Sequence, residues 1–152
     1  MAAKLFRPGA MFKVPAGGDE FAFAVMLSVE SYVAFYGKDV ITDESGLPVD
    51  APMFVLPVER SAYTAGKWGP VIRMVPEEAV PAVPKFFWQN VGNKWDCRIF
   101  DPVNRRKIVA TPQECVGLER EASWAQAHIE ARIADTYAGR PNAFAESLRP
   151  KL

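Results

Sequence analysis

One histidine, two cysteines, an adjacent pair of carboxylates and a set of tryptophans and phenylalanines are the residues of this chain that could do chemistry. His128 would have to be the base of any Ser–His arrangement. It stands between Ala127 and Ile129 in a stretch with helical spacing, where a structural or surface histidine is the plainer role. A single histidine cannot build a multi-histidine metal site. Cys97 and Cys115 show no Cys-x-x-Cys spacing, so no redox or zinc motif is present and both read as reduced thiols. Asp43 and Glu44 are neighbours in a loop, and adjacency alone does not make an acid–base pair. The sequence has no Gly-x-x-x-x-Gly-Lys-Ser/Thr phosphate loop and no Gly-x-Ser-x-Gly elbow. Trp68, Phe86, Phe87, Trp88 and Trp95 could stack nucleobases, but their strand-like spacing assigns them to a core. The residues therefore specify no catalytic site, no metal site and no cofactor, and weight moves to a binding function.

The charge pattern offers one candidate surface. Residues 39–59 contain Asp39, Asp43, Glu44, Asp50 and Glu59 and no Lys or Arg. Ser45-Gly46-Leu47-Pro48 and Ala51-Pro52 mark most of this segment as loop. Such a segment is either a solvated connection or an acidic docking surface for a basic partner.

The elements that must position these residues start with residues 11–36. Phe21, Phe23, Val25, Leu27 and Val29 recur at every second position, the period of a strand. Phe12 and Val14 alternate before them, and Ala16-Gly17-Gly18-Asp19 lies between as a hairpin signal. Tyr32-Val33-Ala34-Phe35-Tyr36 makes a third run. A three-stranded antiparallel meander follows, with Phe21, Phe23 and Val25 on the face to be buried. Further strands are expected at residues 53–58, with Pro57 at an edge, and at residues 71–75, 86–91, 95–100 and 106–110. Turns fall at Gly66-Lys67-Trp68, Gly92-Asn93 and Asp101-Pro102-Val103-Asn104.

Helices are expected from Thr111 onward. Thr111-Pro112-Gln113-Glu114 has the spacing of a capping box, and Ser123-Trp124-Ala125-Gln126 repeats it. Ala125, Ile129, Ile133 and Tyr137, four apart, form one stripe, with Glu130 in solvent. Gly139 suits the left-handed cap, Pro141 blocks continuation, and Asn142 can start a last short helix with Phe144 and Leu148 on one side.

The chain of 152 residues reads as a single domain over residues 1–152, with 49% hydrophobic residues to build its core. Thirteen prolines and ten glycines suit short strands joined by turns. Eighteen basic residues balance eighteen acidic ones, which argues against a general nucleic-acid or membrane-surface binder. No run of about 18 apolar residues occurs, and the expected location is cytoplasmic.

Several stretches together resemble a known family. Pro8-Gly9-Ala10-Met11-Phe12-Lys13-Val14-Pro15, then Phe21-Ala22-Phe23-Ala24-Val25-Met26-Leu27 and Val33-Ala34-Phe35-Tyr36, resemble the opening of the immunity protein 26 family of bacterial polymorphic toxin systems. Gly66-Lys67-Trp68 resembles its Gly-x-Trp element. Gly117-Leu118-Glu119-Arg120-Glu121-Ala122-Ser123-Trp124, with Gln126 to Arg132 and Gly139-Arg140-Pro141-Asn142, is similar to its closing helical signature. Ala10-Met11 departs from the acidic-aliphatic pair usual there. The resemblance implies a small cytoplasmic α+β protein that binds and neutralises a cognate protein toxin by occlusion, without a cofactor. Many such toxins are nucleases with basic clefts, which an acidic patch would suit.

The expected fold is α+β: a strongly bent antiparallel sheet, up to a half-closed barrel, with C-terminal helices packed against it. The expected function is immunity-type inhibition and not enzymatic. Asp39, Asp43, Glu44, Asp50 and Trp68 are the expected partner-binding residues. A second reading is an intracellular small-ligand or single-stranded nucleic-acid binding module using an aromatic sheet face. Burial separates the two: aromatics exposed on one concave face favour the second.

Overall fold

The computed structural model describes residues 5–65 and 67–152. Met1 to Lys4 and Gly66 lie outside the described residues, and so do the expectations placed on them. The chain is α+β, built on two sheets, neither of them closed.

The meander forms as its alternation requires. Strand β1 (Ala10–Pro15) pairs with β2 (Phe21–Met26), and β2 with β3 (Tyr32–Tyr36), all antiparallel. Gly17 and Gly18, at φ +95° and +55°, make the first turn. The Leu27 amide donates to the Tyr32 carbonyl at 2.9 Å, which closes the second turn earlier than the apolar run to Val29 suggests. Strand β4 (Phe54–Pro57) joins β3 at one edge, where Pro57 was expected. The two-residue strand β5 (Arg73–Met74) joins β1 at the other, giving the order β4-β3-β2-β1-β5.

Both faces of this sheet are covered, and the helices choose the face with the smaller residues. Phe12, Val14, Ala22, Ala24, Met26, Val33, Phe35 and Leu56 share one core with Trp68, Trp124, Ile129 and Ile133. Ala22 and Ala24 leave a trough in which bulky partners seat at close-packed density. The expectation that Phe21, Phe23 and Val25 form the buried side holds for Val25 alone. Phe21 and Phe23 are half-buried, edge to face at 5.2 Å, with the Lys13 ammonium 4.5 Å from the Phe21 ring. The rest of that face packs under Val75, Val83 and Phe86.

The second sheet has the order β8-β7-β6-β9, from β6 (Phe86–Asn90), β7 (Asn93–Asp101), β8 (Arg106–Ala110) and β9 (Glu119–Arg120). Strand β9 pairs with β6 in parallel, so Gly117 to Trp124 is not helical as the family resemblance implies. Thr111 and Glu114 do form the reciprocal capping pair, at 3.2 and 2.9 Å, around a single 3-10 turn at Gln113–Cys115.

Helix α1 (Arg60–Thr64) was not expected, since no capping side chain announces it. Helix α2 (Gln126–Tyr137) starts three residues after Ser123, and no side chain caps it. Trp124 is held extended instead. Its amide donates to the Pro57 carbonyl and its carbonyl accepts from Glu59, each at 2.9 Å, while its ring is buried. Ile129 and Ile133 face the core, each burial contributing about 1.5–3 kcal/mol. Glu130 does not stand free in solvent, because it accepts the Trp68 indole N–H at 2.9 Å. Gly139 takes φ +69° at the end of α2, and Asn142 caps α3 (Ala143–Ser147) by accepting from the Ala145 amide at 2.9 Å.

A side-chain hydrogen bond links the first sheet to the end of the second. The Tyr32 hydroxyl on β3 donates to Glu121 Oε1 at 2.6 Å, just past β9. Glu121 Oε2 is buried with no hydrogen-bond partner among the described residues. Burial holds the Glu121 carboxyl above its ordinary range, against the bond from Tyr32 and the charge of Lys107, which pull it down. The folded chain therefore binds this proton more tightly than the unfolded chain. Its contribution to stability is greatest below the ordinary carboxyl pKa of about 4.3 and declines as pH rises through the folded value. Glu121→Gln keeps an acceptor for Tyr32 and removes the buried charge. The variant should gain on the wild type between pH 4 and pH 7 in urea midpoint. Parallel midpoint curves across that range would show that Glu121 carries no raised pKa.

Candidate functional site

The acidic segment is an ordered loop. Asp43 Oδ1 accepts from the Ser45 amide at 2.9 Å, the Ser45 hydroxyl at 2.6 Å and the Leu47 amide at 3.0 Å. The Ser45 hydroxyl, then the Leu47 amide, hold the Asp43 carboxyl below the ordinary carboxylate range, so it stays ionised. Asp50 Oδ2 accepts from the Ile41 amide at 2.9 Å, and the Val49 amide donates to the Ile41 carbonyl at 2.9 Å. Thr42 and Pro48 form an isolated bridge between these two clamps. Asp and Ser suit such work because their short side chains reach their own backbone.

Three anchors fix the loop to the body. Tyr137 of α2 donates its hydroxyl to the Phe21 carbonyl at 2.7 Å and accepts the Lys38 amide at 2.9 Å. Val40 and Leu47 turn inward against the core under the first sheet. Arg73 donates to the Ser45 carbonyl, and Gly46, at φ +80°, leaves room for its guanidinium.

The outward side combines charge with apolar surface. Asp39, Asp43, Glu44 and Asp50 are all exposed. Between them stand Ile41, 63% exposed, and Val49, 58% exposed. An apolar centre inside a charged rim is the anatomy of a protein-docking patch. Ile41 and Val49 are absent from the residues expected on sequence. Nothing in Val40-Ile41 or Pro48-Val49 distinguishes an inward from an outward aliphatic until the Asp43 turn sets the direction. Glu59 is exposed and sits outside this clamp, at the start of α1. The segment's charge is also less isolated than its sequence suggests, since Arg73 reaches it and Lys38, paired with Glu20, stands at its base.

Trp68 is withdrawn from the partner-binding set. It is 2% exposed, stacked on Phe12 at 5.9 Å and edge-on to Phe35 at 6.2 Å. Its ring shares the core of Ala22 and Ala24, and its indole N–H is spent on Glu130. Phe86 and Phe87 are also buried, in separate cores. Trp88 and Trp95 are exposed, but only Trp88 lies in the regular β6–β7 pairing, while Trp95 falls where the register shifts between Gln89 and Asn90. Trp88 lies opposite Arg98, while Trp95 shares the parity of the buried Cys97.

The remaining chemical residues have structural settings. The His128 ring lies against Phe144 at 4.1 Å on the exposed side of α2. Cys97 and Cys115 are free, fully buried thiols in one core. Burial, then the neighbouring Cys97 thiol, push Cys115 up to about 11, which makes it a poor nucleophile at neutral pH. Among the described residues no group of His, Cys, Asp and Glu side chains is arranged to hold a metal ion. No described helix is long and apolar enough to cross a membrane. No protein-family model, curated protein or solved structure matches the chain.

Proposed function

We propose that the chain is an immunity-type protein that binds a cognate bacterial toxin and neutralises it by occlusion in the cytoplasm. The observation that carries this reading is the ordered acidic loop, with Ile41 and Val49 raised at its centre and Asp39, Asp43, Glu44 and Asp50 around them. A loop already held by Asp43 and Asp50 loses little entropy when a partner lands on it. Its charge suits a basic partner, such as the substrate cleft of a nuclease. The family resemblance of the opening strands supports the same reading. Toxicity assays test it: the protein encoded by the adjacent reading frame is expressed in a bacterial host with and without this chain. Growth arrest relieved by the chain is the expected result. Arrest left unrelieved, with no complex on gel filtration, would overturn it.

The loop geometry selects the substitutions that probe docking. Reversing Asp43 or Asp50 would break the loop's own hydrogen bonds. Asp39 and Glu44 make no side-chain hydrogen bond among the described residues. Asp39→Lys with Glu44→Lys should slow association with the toxin on the order of 10-fold at low salt and leave dissociation nearly unchanged. Stopped-flow kinetics at two ionic strengths reads this directly. Equal association rates at low salt would move the interface elsewhere.

A further inference from the structure

Four arginines from separate places in the chain line one cavity of about 540 Å³. Arg120 comes from β9, Arg132 from α2, Arg140 from the loop after α2 and Arg149 from the tail after α3. Arg132 gives both Nη groups to Glu119, at 2.9 and 2.8 Å. Arg140 gives Nε to Asp135 at 2.6 Å, and Arg149 forms an ion pair with Glu146, Nη2 to Oε1 at 3.1 Å. Arg120 has no carboxylate partner among the described residues. Its Nε donates to the Leu148 carbonyl at 3.0 Å, and its Nη groups reach the Gln89 oxygens at 3.4 Å, the weak end of the range. It is half-buried, with its guanidinium carbon 4.7 Å from the Phe87 ring centre.

These four guanidiniums meet three side-chain carboxylates, and Arg120 is the one without such a partner among the described residues. Arg140 and Arg149 are exposed and each engages one nitrogen, so most of their five N–H donors stay open. Leu118 and Leu148, both half-buried, give the same cavity an apolar wall. Its volume is that of a small-molecule site. A single planar carboxylate is satisfied by one guanidinium fork. A phosphoryl group presents oxygens in a tetrahedral array and suits donors that arrive from several elements.

We propose that this cavity binds a small phosphate ester, its phosphoryl group on Arg120, Arg140 and Arg149 and its organic part on Leu118 and Leu148. The site is separate from the acidic loop and does not rest on the toxin-binding reading. Phenyl phosphate is the probe, compared with benzoate and with sodium chloride at matched ionic strength, by calorimetry and thermal shift. Saturable binding of phenyl phosphate, not reproduced by benzoate or chloride, is expected. Arg120→Gln should abolish it, and Arg149→Gln should weaken it roughly 10-fold. If Arg120→Gln does not fold, the exposed Arg140→Gln and Arg149→Gln pair carries the test. A response equal to that of chloride, equal binding of benzoate, or affinity unchanged in the Arg140→Gln/Arg149→Gln variant would each overturn the proposal.

Discussion

Ile133→Asp is expected to leave no soluble folded protein. Ile133 is 0% exposed, on the side of α2 that meets the first sheet, and shares its core with Ile129, Trp124 and Trp68. Aspartate there would put a carboxylate among apolar and aromatic groups. Burying an ionised group without a partner costs far more than the few kcal/mol that burying isoleucine contributes. Net stability for a domain is about 5–15 kcal/mol, so the penalty takes most or all of it. Arg132, next in sequence, offers no rescue, because both its Nη groups are committed to Glu119. Ile133→Val is the matched control and should cost only about 0.5–1.5 kcal/mol. Soluble yield, gel filtration and circular dichroism read the outcome. A soluble Ile133→Asp variant with wild-type melting temperature would mean that α2 does not pack through this stripe.

The helical stripe was legible because it is a local pattern. Ile129 and Ile133 repeat at one turn, and Gly139 and Asn142 are stop and start signals that work within a few residues. The meander was legible for the same reason: alternation and a Gly-Gly turn are local. What covers each face is not local. Both parities of β2 are apolar, Phe21-Phe23-Val25 on one side and Ala22-Ala24-Met26 on the other, and size alone favours burying the phenylalanines. The structure buries the alanines completely, because the tryptophans and isoleucines that arrive later in the chain need the room.

Ser123 shows how a tertiary contact overrides a local signal. Ser123 and Gln126 have the spacing of a capping box, but Trp124 is worth more in the core beside Pro57 than as the first residue of a helix. The short strand β9 follows from the same geometry, since the chain must run beside β6 to deliver Trp124. Two strand residues, Glu119 and Arg120, carry no alternation long enough to detect. At the candidate site the acidic character of residues 39–59 was plain from composition. The direction of Ile41 and Val49 was not, since it depends on the turn that Asp43 closes. Trp68 reads from sequence both as core, by its spacing, and as partner-binding, because the Gly-Lys before it and the Gly-Pro after it describe a turn's backbone and not where its aromatic side chain goes.

Trp68→Ala should cost about 3–5 kcal/mol, the range for deleting a fully buried large side chain. Two separate interactions contribute, and a second substitution divides them. The ring stacks on Phe12 and meets Phe35 edge-on, while the indole N–H donates to Glu130 at 2.9 Å. Trp68→Phe keeps part of the ring contact and deletes the donor. Removing a hydrogen bond to a charged acceptor costs about 1.5–3 kcal/mol, less here because Gln126 also donates to Glu130, at 2.8 Å. Glu130→Gln alone should be mild, since the amide oxygen still accepts. In Trp68→Phe the donor is already gone, so adding Glu130→Gln should change nothing further through this bond. A double-mutant cycle on these two positions therefore isolates what the charge of Glu130 adds to the indole bond, apart from the packing. Denaturant midpoints with unchanged slopes are the measurement. Trp68→Ala within about 1 kcal/mol of wild type would place the ring outside the core. Trp68 would then return to the surface residues open to a partner, and the docking patch would have to include it.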